Sequence, residues 1–333
     1  MTKLSAIREA NAALKSEQRR GVVAVFVGAT SGIGLHTLRT TVTLFADPTV
    51  YVVGRSEARF ADHRAELERL NPGARVVFLQ ADVSLLADVD AACDRIAAAA
   101  AAAAETKVDY LYMSPGLIPI NGPQHTREGL DTCFALSYYA RVRFVEKLAP
   151  LLRGAPAPRV LSVLAAGREG PLVEDDLGLE DEKNWSTGAV MRHTTTLTSL
   201  ALEHLARQHG DIVFLHAFPG LVRTDIFARL EAPPGSSWLW KLAVLLVSRG
   251  VTALMWLRGI TPEESGERQA WHLTSPEFTR EGGRLHQVNE HSDEIAPSAM
   301  KVFEDYKQEG WPERVWEYTA RVIERALIAT QSA

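Results

Sequence analysis

A chain of 333 residues, 46% hydrophobic and 23% charged, has ordinary globular composition and enough apolar material for a large core. A net charge of −5 offers no electrostatic footprint for nucleic acid. The two cysteines, Cys93 and Cys133, lie far apart without metal-type spacing, so neither a metal site nor a disulfide framework organises the chain.

Lys3, Arg8, Lys15, Arg19 and Arg20 precede any apolar run, so the first residues are not a signal peptide. With the sparse cysteines this suits a reducing, cytoplasmic setting. Ala6, Ile7, Ala10 and Leu14 recur as on one face of a short helix within residues 1–20. Residues 22–27 (VVAVFV) read as a buried parallel strand leading into Gly28, Gly32 and Gly34. Leu35, Leu38, Val42 and Phe45 then take helical spacing. Strand, glycine turn and helix aim backbone N–H groups, those of Ser31 and Ile33 included, at a phosphate.

A second strand over 50–53 ends in Gly54-Arg55, and a helix over 58–70 is stopped by Asn71-Pro72-Gly73. A third strand over 76–79 is followed by Asp82-Val83-Ser84, with Ser84 the expected cap of a surface helix carrying the alanine run 97–104. The fourth strand, 108–113, runs into Ser114-Pro115-Gly116. A long amphipathic helix over 130–152, a strand over 160–164, a helix over 189–208 and a strand over 212–218 complete the alternation. The pattern predicts an α/β fold, a Rossmann-like doubly wound parallel sheet over residues 21–225 with a helical C-terminal extension in the same domain. In that extension, 226–333, the apolar stretch 238–257 is interrupted by Lys241 and Arg249. It reads as a substrate-covering helix or pair of helices rather than a transmembrane span, with peripheral membrane contact as the alternative. Residues 270–274 are the expected last strand, and 302–327 a helical tail with Trp311, Trp316 and Tyr318.

The spacing Gly-x-x-x-Gly-x-Gly resembles the nucleotide loop of the short-chain dehydrogenase/reductase family, although Val27 stands where that family usually has threonine. The resemblance covers residues 22–225. It implies that Asp82-Val83 contacts adenine, that Pro115 and Gly116 border the cofactor, and that Pro219, Gly220, Val222 and Thr224 border the nicotinamide. Where NAD-binding members carry an acid at the end of the second strand, this chain has Gly54 and then Arg55, as in NADP-binding members. A guanidinium pairs bidentately with a 2′-phosphate, so the cofactor implied is NADP(H).

The catalytic half departs from the family. Ser137, Ala165, Met191 and Thr195 occupy the positions of the family's asparagine, serine, tyrosine and lysine, and no lysine follows any tyrosine by four residues. The alkoxide formed by hydride transfer to a carbonyl needs a proton that Met191 cannot give. Weak replacement candidates are Arg168 and Glu169 beyond the fifth strand, Thr194 and Thr195 on the helix, and Ser114; His193 falls on the other side of its helix.

The expected function is an NADP(H)-dependent oxidoreductase acting on an apolar small molecule with a non-standard proton source. Chains of this pattern look similar to reductase-like proteins of fungal natural-product pathways, which implies secondary metabolite biosynthesis. The alternatives are a non-redox cyclase or isomerase using NADP(H) as scaffold or not at all, and a non-catalytic NADP(H)-binding protein. The resemblance also implies a homodimer through helices 130–152 and 189–208, unless the tail after Pro297 obstructs it.

Overall fold

The computed structural model describes residues 2–103, 106–226, 230, 232 and 235–331. Seven strands form one sheet in the order β3-β2-β1-β4-β5-β6-β7. They are β1 (Val23–Val27), β2 (Thr49–Gly54), β3 (Arg75–Gln80), β4 (Tyr110–Met113), β5 (Arg159–Val163), β6 (Val213–Ala217) and β7 (Leu285–Val288). Every pairing is parallel. The central strands are buried on both faces, which is why they read as continuous apolar runs.

Helices cover both faces. On one side lie α1 (Leu4–Ser16), α2 (Gly32–Leu44), α3 (Glu57–Leu70) and α9 (Pro262–Thr274), around a core that includes Ile7, Leu38, Phe60 and Trp271. On the other lie α4 (Leu86–Ala102), α6 (Ala140–Arg153), α7 (Thr187–Gln208), α10 (Lys301–Gln308) and α11 (Trp311–Gln331), around Val89, Phe144, Leu200 and Trp311. The remaining long helix, α8 (Trp238–Arg258), buries only Val244, Ser248 and Met255.

Three expectations need correction. The helix over 130–152 is not continuous: a short α5 (Thr132–Phe134), capped by the Asp131 carboxylate, passes through a π-turn at Ala135–Tyr139 before α6 begins. Ser84 does not cap α4, because its hydroxyl donates to Asp82 Oδ1. The buried Glu128 carboxylate does so instead, accepting the N–H groups of Leu86 (2.6 Å) and Ala87 (2.9 Å). Residues 270–274 are not a strand but the last turns of α9. The Thr261 hydroxyl caps that helix through Glu264 N–H, Pro262 starts it, and Glu263 and Glu264 fill its first turn. The last strand is β7, paired with β6.

Trp311 of the tail is a core residue, and Trp316 is half-buried against the core. Trp311 is buried against Tyr306, with ring centroids 5.0 Å apart, and Trp316 stacks on His204 at 4.9 Å. Cys93 and Cys133 are free and buried, and burial pushes their thiols up to about 12 and about 11.

Candidate functional site

The strand order reverses between β1 and β4, where Val27 pairs with Met113, and a crevice forms beyond their carboxyl ends. Gly28 leaves β1 with φ +79° and Gly32 opens α2 with φ +55°, backbone that side chains resist. A Cβ on Gly28 would lie 2.6 Å from Pro115 N. Ser31 makes no side-chain cap bond and the first turn of α2 holds no acid, so the N–H groups of Gly32, Ile33 and Gly34 remain for an external anion.

Several of the positions expected to bind a cofactor lie beside this turn. The Ser114 hydroxyl donates to Gly28 O at 3.1 Å, which makes this candidate a brace of the loop. The Ser137 hydroxyl would lie 3.5 Å from a Cβ on Gly116. Thr224 Cγ2 would sit 3.5 Å from a Cβ on Gly32, which brings the segment from Pro219 through Gly220 and Val222 beside the glycine loop. Asp82 Oδ1 accepts Ser84 N–H and Oγ–H, and Val83 is buried. Arg55 is exposed, with no ion-pair partner among the described residues. At Gly54 a Cβ would lie 2.7 Å from Thr30 Cγ2 and 3.1 Å from the Phe78 ring, so an acidic side chain there would need both to move. These residues fit a dinucleotide with its pyrophosphate at the α2 N-terminus.

Two features of the site floor went unread in the sequence. Arg141 is 1% exposed, and its guanidinium donates to Met113 O (3.3 Å), Ser162 Oγ (2.6 Å), Val163 O (3.0 Å) and Pro115 O (2.6 Å). It ties together the carboxyl ends of β4 and β5. Burial lowers its pKa to about 10, so it remains a cation at neutral pH, with no carboxylate among these partners. The second feature is a buried relay. Ala165 N–H donates to His216 Nε2 at 3.3 Å, which leaves the proton of the neutral ring on Nδ1. Nδ1 lies 2.8 Å from Ser199 Oγ, whose own proton goes to Glu169 Oε1 at 2.6 Å. Burial pushes the His216 pKa down to about 3 and raises that of Glu169.

The catalytic candidates fare unequally. The Thr194 hydroxyl donates to Val190 O and the Thr195 hydroxyl to Met191 O, both within α7. His193 is buried, accepts Val173 N–H at Nε2 and faces Leu177 O from Nδ1, so it pins the β5–α7 connection. Met191 is 50% exposed and Glu169 is locked in the relay. Arg168 is exposed beyond β5, its guanidinium 5.0 Å over the Phe218 ring beside Pro219, and has no acidic partner among the described residues. A separate cavity of about 350 Å³ lies between residues 175–180 and α11.

Residues 22–170 match the model of the short chain dehydrogenase family. Over 98% of its length the chain is 35% identical to oxidoreductase AN1596 of Emericella nidulans, of which it covers 99%. The chain belongs to the short-chain dehydrogenase/reductase family. It is also 26% identical to the short-chain dehydrogenase/reductase SAT2 of Stachybotrys chartarum, covering 97% of each. A short-chain dehydrogenase/reductase of Saccharomyces cerevisiae shares the fold, with a TM-score of 0.58 at 18% identity over 84% of this chain and 99% of its own. The family's cofactor is a nicotinamide dinucleotide, which the crevice fits. Of the four positions at which the family's catalytic residues are expected from the sequence, Ser137 is buried in the π-turn, and the others are Ala165, Met191 and Thr195. None of these side chains is a strong acid or base near neutral pH.

Proposed function

We propose that the chain is an NADP(H)-dependent oxidoreductase that reduces an apolar small molecule in a fungal secondary-metabolite pathway, without a tyrosine proton donor. The observation that carries this is the pairing of an uncapped α2 N-terminus with an exposed Arg55, which has no ion-pair partner among the described residues, behind a Gly54 that has no room for an acid. When bound, the cofactor supplies hydride. The chain's own part is to hold its pyrophosphate at Gly32–Gly34 and its 2′-phosphate at Arg55.

Charge selects the acceptor. Arg141 beneath the edge and Arg168 at its rim bring two cations to the site, which favours an oxygen that gains negative charge over a cationic iminium. A ketone or enone fits that field. Water entering the open edge then supplies the proton that the family takes from tyrosine, since Met191 has none to give and Thr194 and Thr195 are bound to their helix.

Titration with NADPH and NADH, followed by nicotinamide fluorescence, tests the reading. NADPH is expected to bind at least about ten-fold tighter, and Arg55→Ala to abolish that preference while leaving NADH within about two-fold. Equal weakening of both removes Arg55 from the site. Loss of all four family positions favours one alternative, a non-redox cyclase or isomerase, which turnover without NADPH consumption would select. Binding of NADPH without any turnover would select a non-catalytic binding protein.

A further inference from the structure

Among the described elements, α8 exposes the most large apolar side chains. Its 21 residues are about 31 Å long, and by length and composition it is the one helix among those described that could cross a membrane. It cannot do so in this fold. The strands on either side of it, β6 and β7, pair in one sheet, so the chain must return to the side it left.

The wheel of α8 is ordered. Val244, Ser248 and Met255, its buried residues, fall within an arc of about 40° and form the seat on the body. Leu239, Leu246 and Leu257, exposed by 60%, 63% and 81%, point about 160° away from that seat. Trp238, Leu242, Leu245 and Trp256 flank them on one side, and Trp240, Val247 and Leu254 on the other, all exposed. Between Trp238 and Arg258 there is no acid, but three bases: Lys241, Arg249 and Arg258. Arg249 and Arg258 lie about 80° and 100° to either side of the apolar midline, the level of lipid headgroups when that midline is immersed. The exposed Trp238, Trp240 and Trp256 stand on the flanks of the apolar arc, where amphipathic rings suit a membrane–water interface. A protein groove would need to match an apolar arc wider than half the helix, whereas a bilayer surface matches any such arc if the flanks are basic.

We propose that α8 seats the protein on an anionic bilayer surface, lying flat with Leu239, Leu246 and Leu257 immersed. The C-terminal end of α8 is tied to the crevice. Ile260 N–H donates to Leu221 O, Arg223 N–H donates to Ile260 O, and the Arg223 guanidinium lies 5.7 Å from the Trp256 ring. Membrane seating therefore brings the segment after Pro219-Gly220 to the lipid. If the redox reading above holds, the apolar substrate is drawn from the bilayer.

The test floats the full chain with vesicles of phosphatidylcholine alone and with phosphatidylglycerol added. Binding is expected to be about twenty-fold tighter on the anionic vesicles, from the two flanking arginines. The emission of Trp238, Trp240 and Trp256 should shift to the blue and be quenched by brominated lipid. The triple variant Leu239→Glu, Leu246→Glu, Leu257→Glu changes only exposed residues, so its NADPH titration should match the parent while vesicle binding falls by about a hundred-fold or more. No flotation of the parent on either vesicle, or full flotation of the triple variant, overturns the proposal. So does a lipid-free parent dimer that the triple variant turns into a monomer, because a second copy would then be the occupant. None of these readouts requires turnover, so a failed redox reading leaves the membrane result standing.

Discussion

Arg141 shows how one side chain can set the character of this site. A buried cation is costly unless its donors are used, and four of its contacts are to oxygens at the ends of β4 and β5. Arg141→Met would leave those acceptors without their donor, and is expected to lower stability by about 3 kcal/mol in urea unfolding. Arg141→Lys should recover less than half, because one ammonium cannot span the fork from Ser162 to Pro115. A loss below about 1 kcal/mol for Arg141→Met would mean that the strand ends hold without the guanidinium. The residue was legible in principle: Tyr138, Arg141, Val145, Leu148 and Leu152 share one apolar stripe at three- and four-residue spacing, and a cation inside such a stripe is the signal. His216 and Ser199 gave no such signal, because wholly buried segments have no polar face against which a polar residue stands out.

Among elements, α4 depends on a residue far from it in sequence. Glu128 accepts two N–H groups of its first turn and also the Thr330 hydroxyl of α11, so one carboxylate joins the α4 start to the tail. Glu128→Ala is expected to cost about 1–2 kcal/mol in thermal or urea unfolding, the range for a lost cap aided by the helix dipole; an unchanged midpoint would assign the cap to water. The strands and the glycine loop could be read from sequence because burial on both faces and phosphate geometry each demand residue types that serve little else there. The end of α9 could not. Ala270-Trp271-His272-Leu273-Thr274 has strand-like composition, and only the Thr261-Pro262 start ten residues earlier marks it as helix. The polar Leu285-His286-Gln287-Val288 in turn hides a strand whose His286 and Gln287 are bonded to Glu294 and Gly167. The tail changes the expectation for assembly, since α11 packs on α7 and α4 and buries Val315, Val322 and Ile323. Light scattering without lipid should give a single species of 36.6 kDa, and twice that mass would show that a surface other than the one under α11 pairs.

The molecule as a whole carries an acid sensitivity built from its buried histidines. His216 and His272 are fully enclosed, and burial pushes both down to about 3. Unfolded, each would titrate near 6.5, so between about pH 6.5 and 3 the unfolded chain binds protons that the folded chain refuses. Stability is therefore full above 6.5 and falls as the pH drops, by about 1.4 kcal/mol per pH unit for each of the two once the pH is well below 6.5. His36, His193, His204 and His209 are depressed by burial too and act in the same direction. Glu169 acts in the opposite sense. Its raised pKa keeps a proton on the folded chain above 4.5, so its contribution is complete below that value and is lost as the pH rises through the folded one. The histidines outnumber it, and the net slope should be positive from pH 5 to 6. His272 allows a clean measurement, because it lies away from the crevice, packed against Trp271 and Phe278 with Nδ1 3.1 Å from Gln269 Oε1. In urea unfolding across pH 5–6, His272→Gln should reduce the slope of stability against pH by about 1.2 kcal/mol per unit, whatever its effect on stability at pH 7.5. An unchanged slope would mean that the ring takes up its proton in the folded state, and that the core around Trp271 admits a charge.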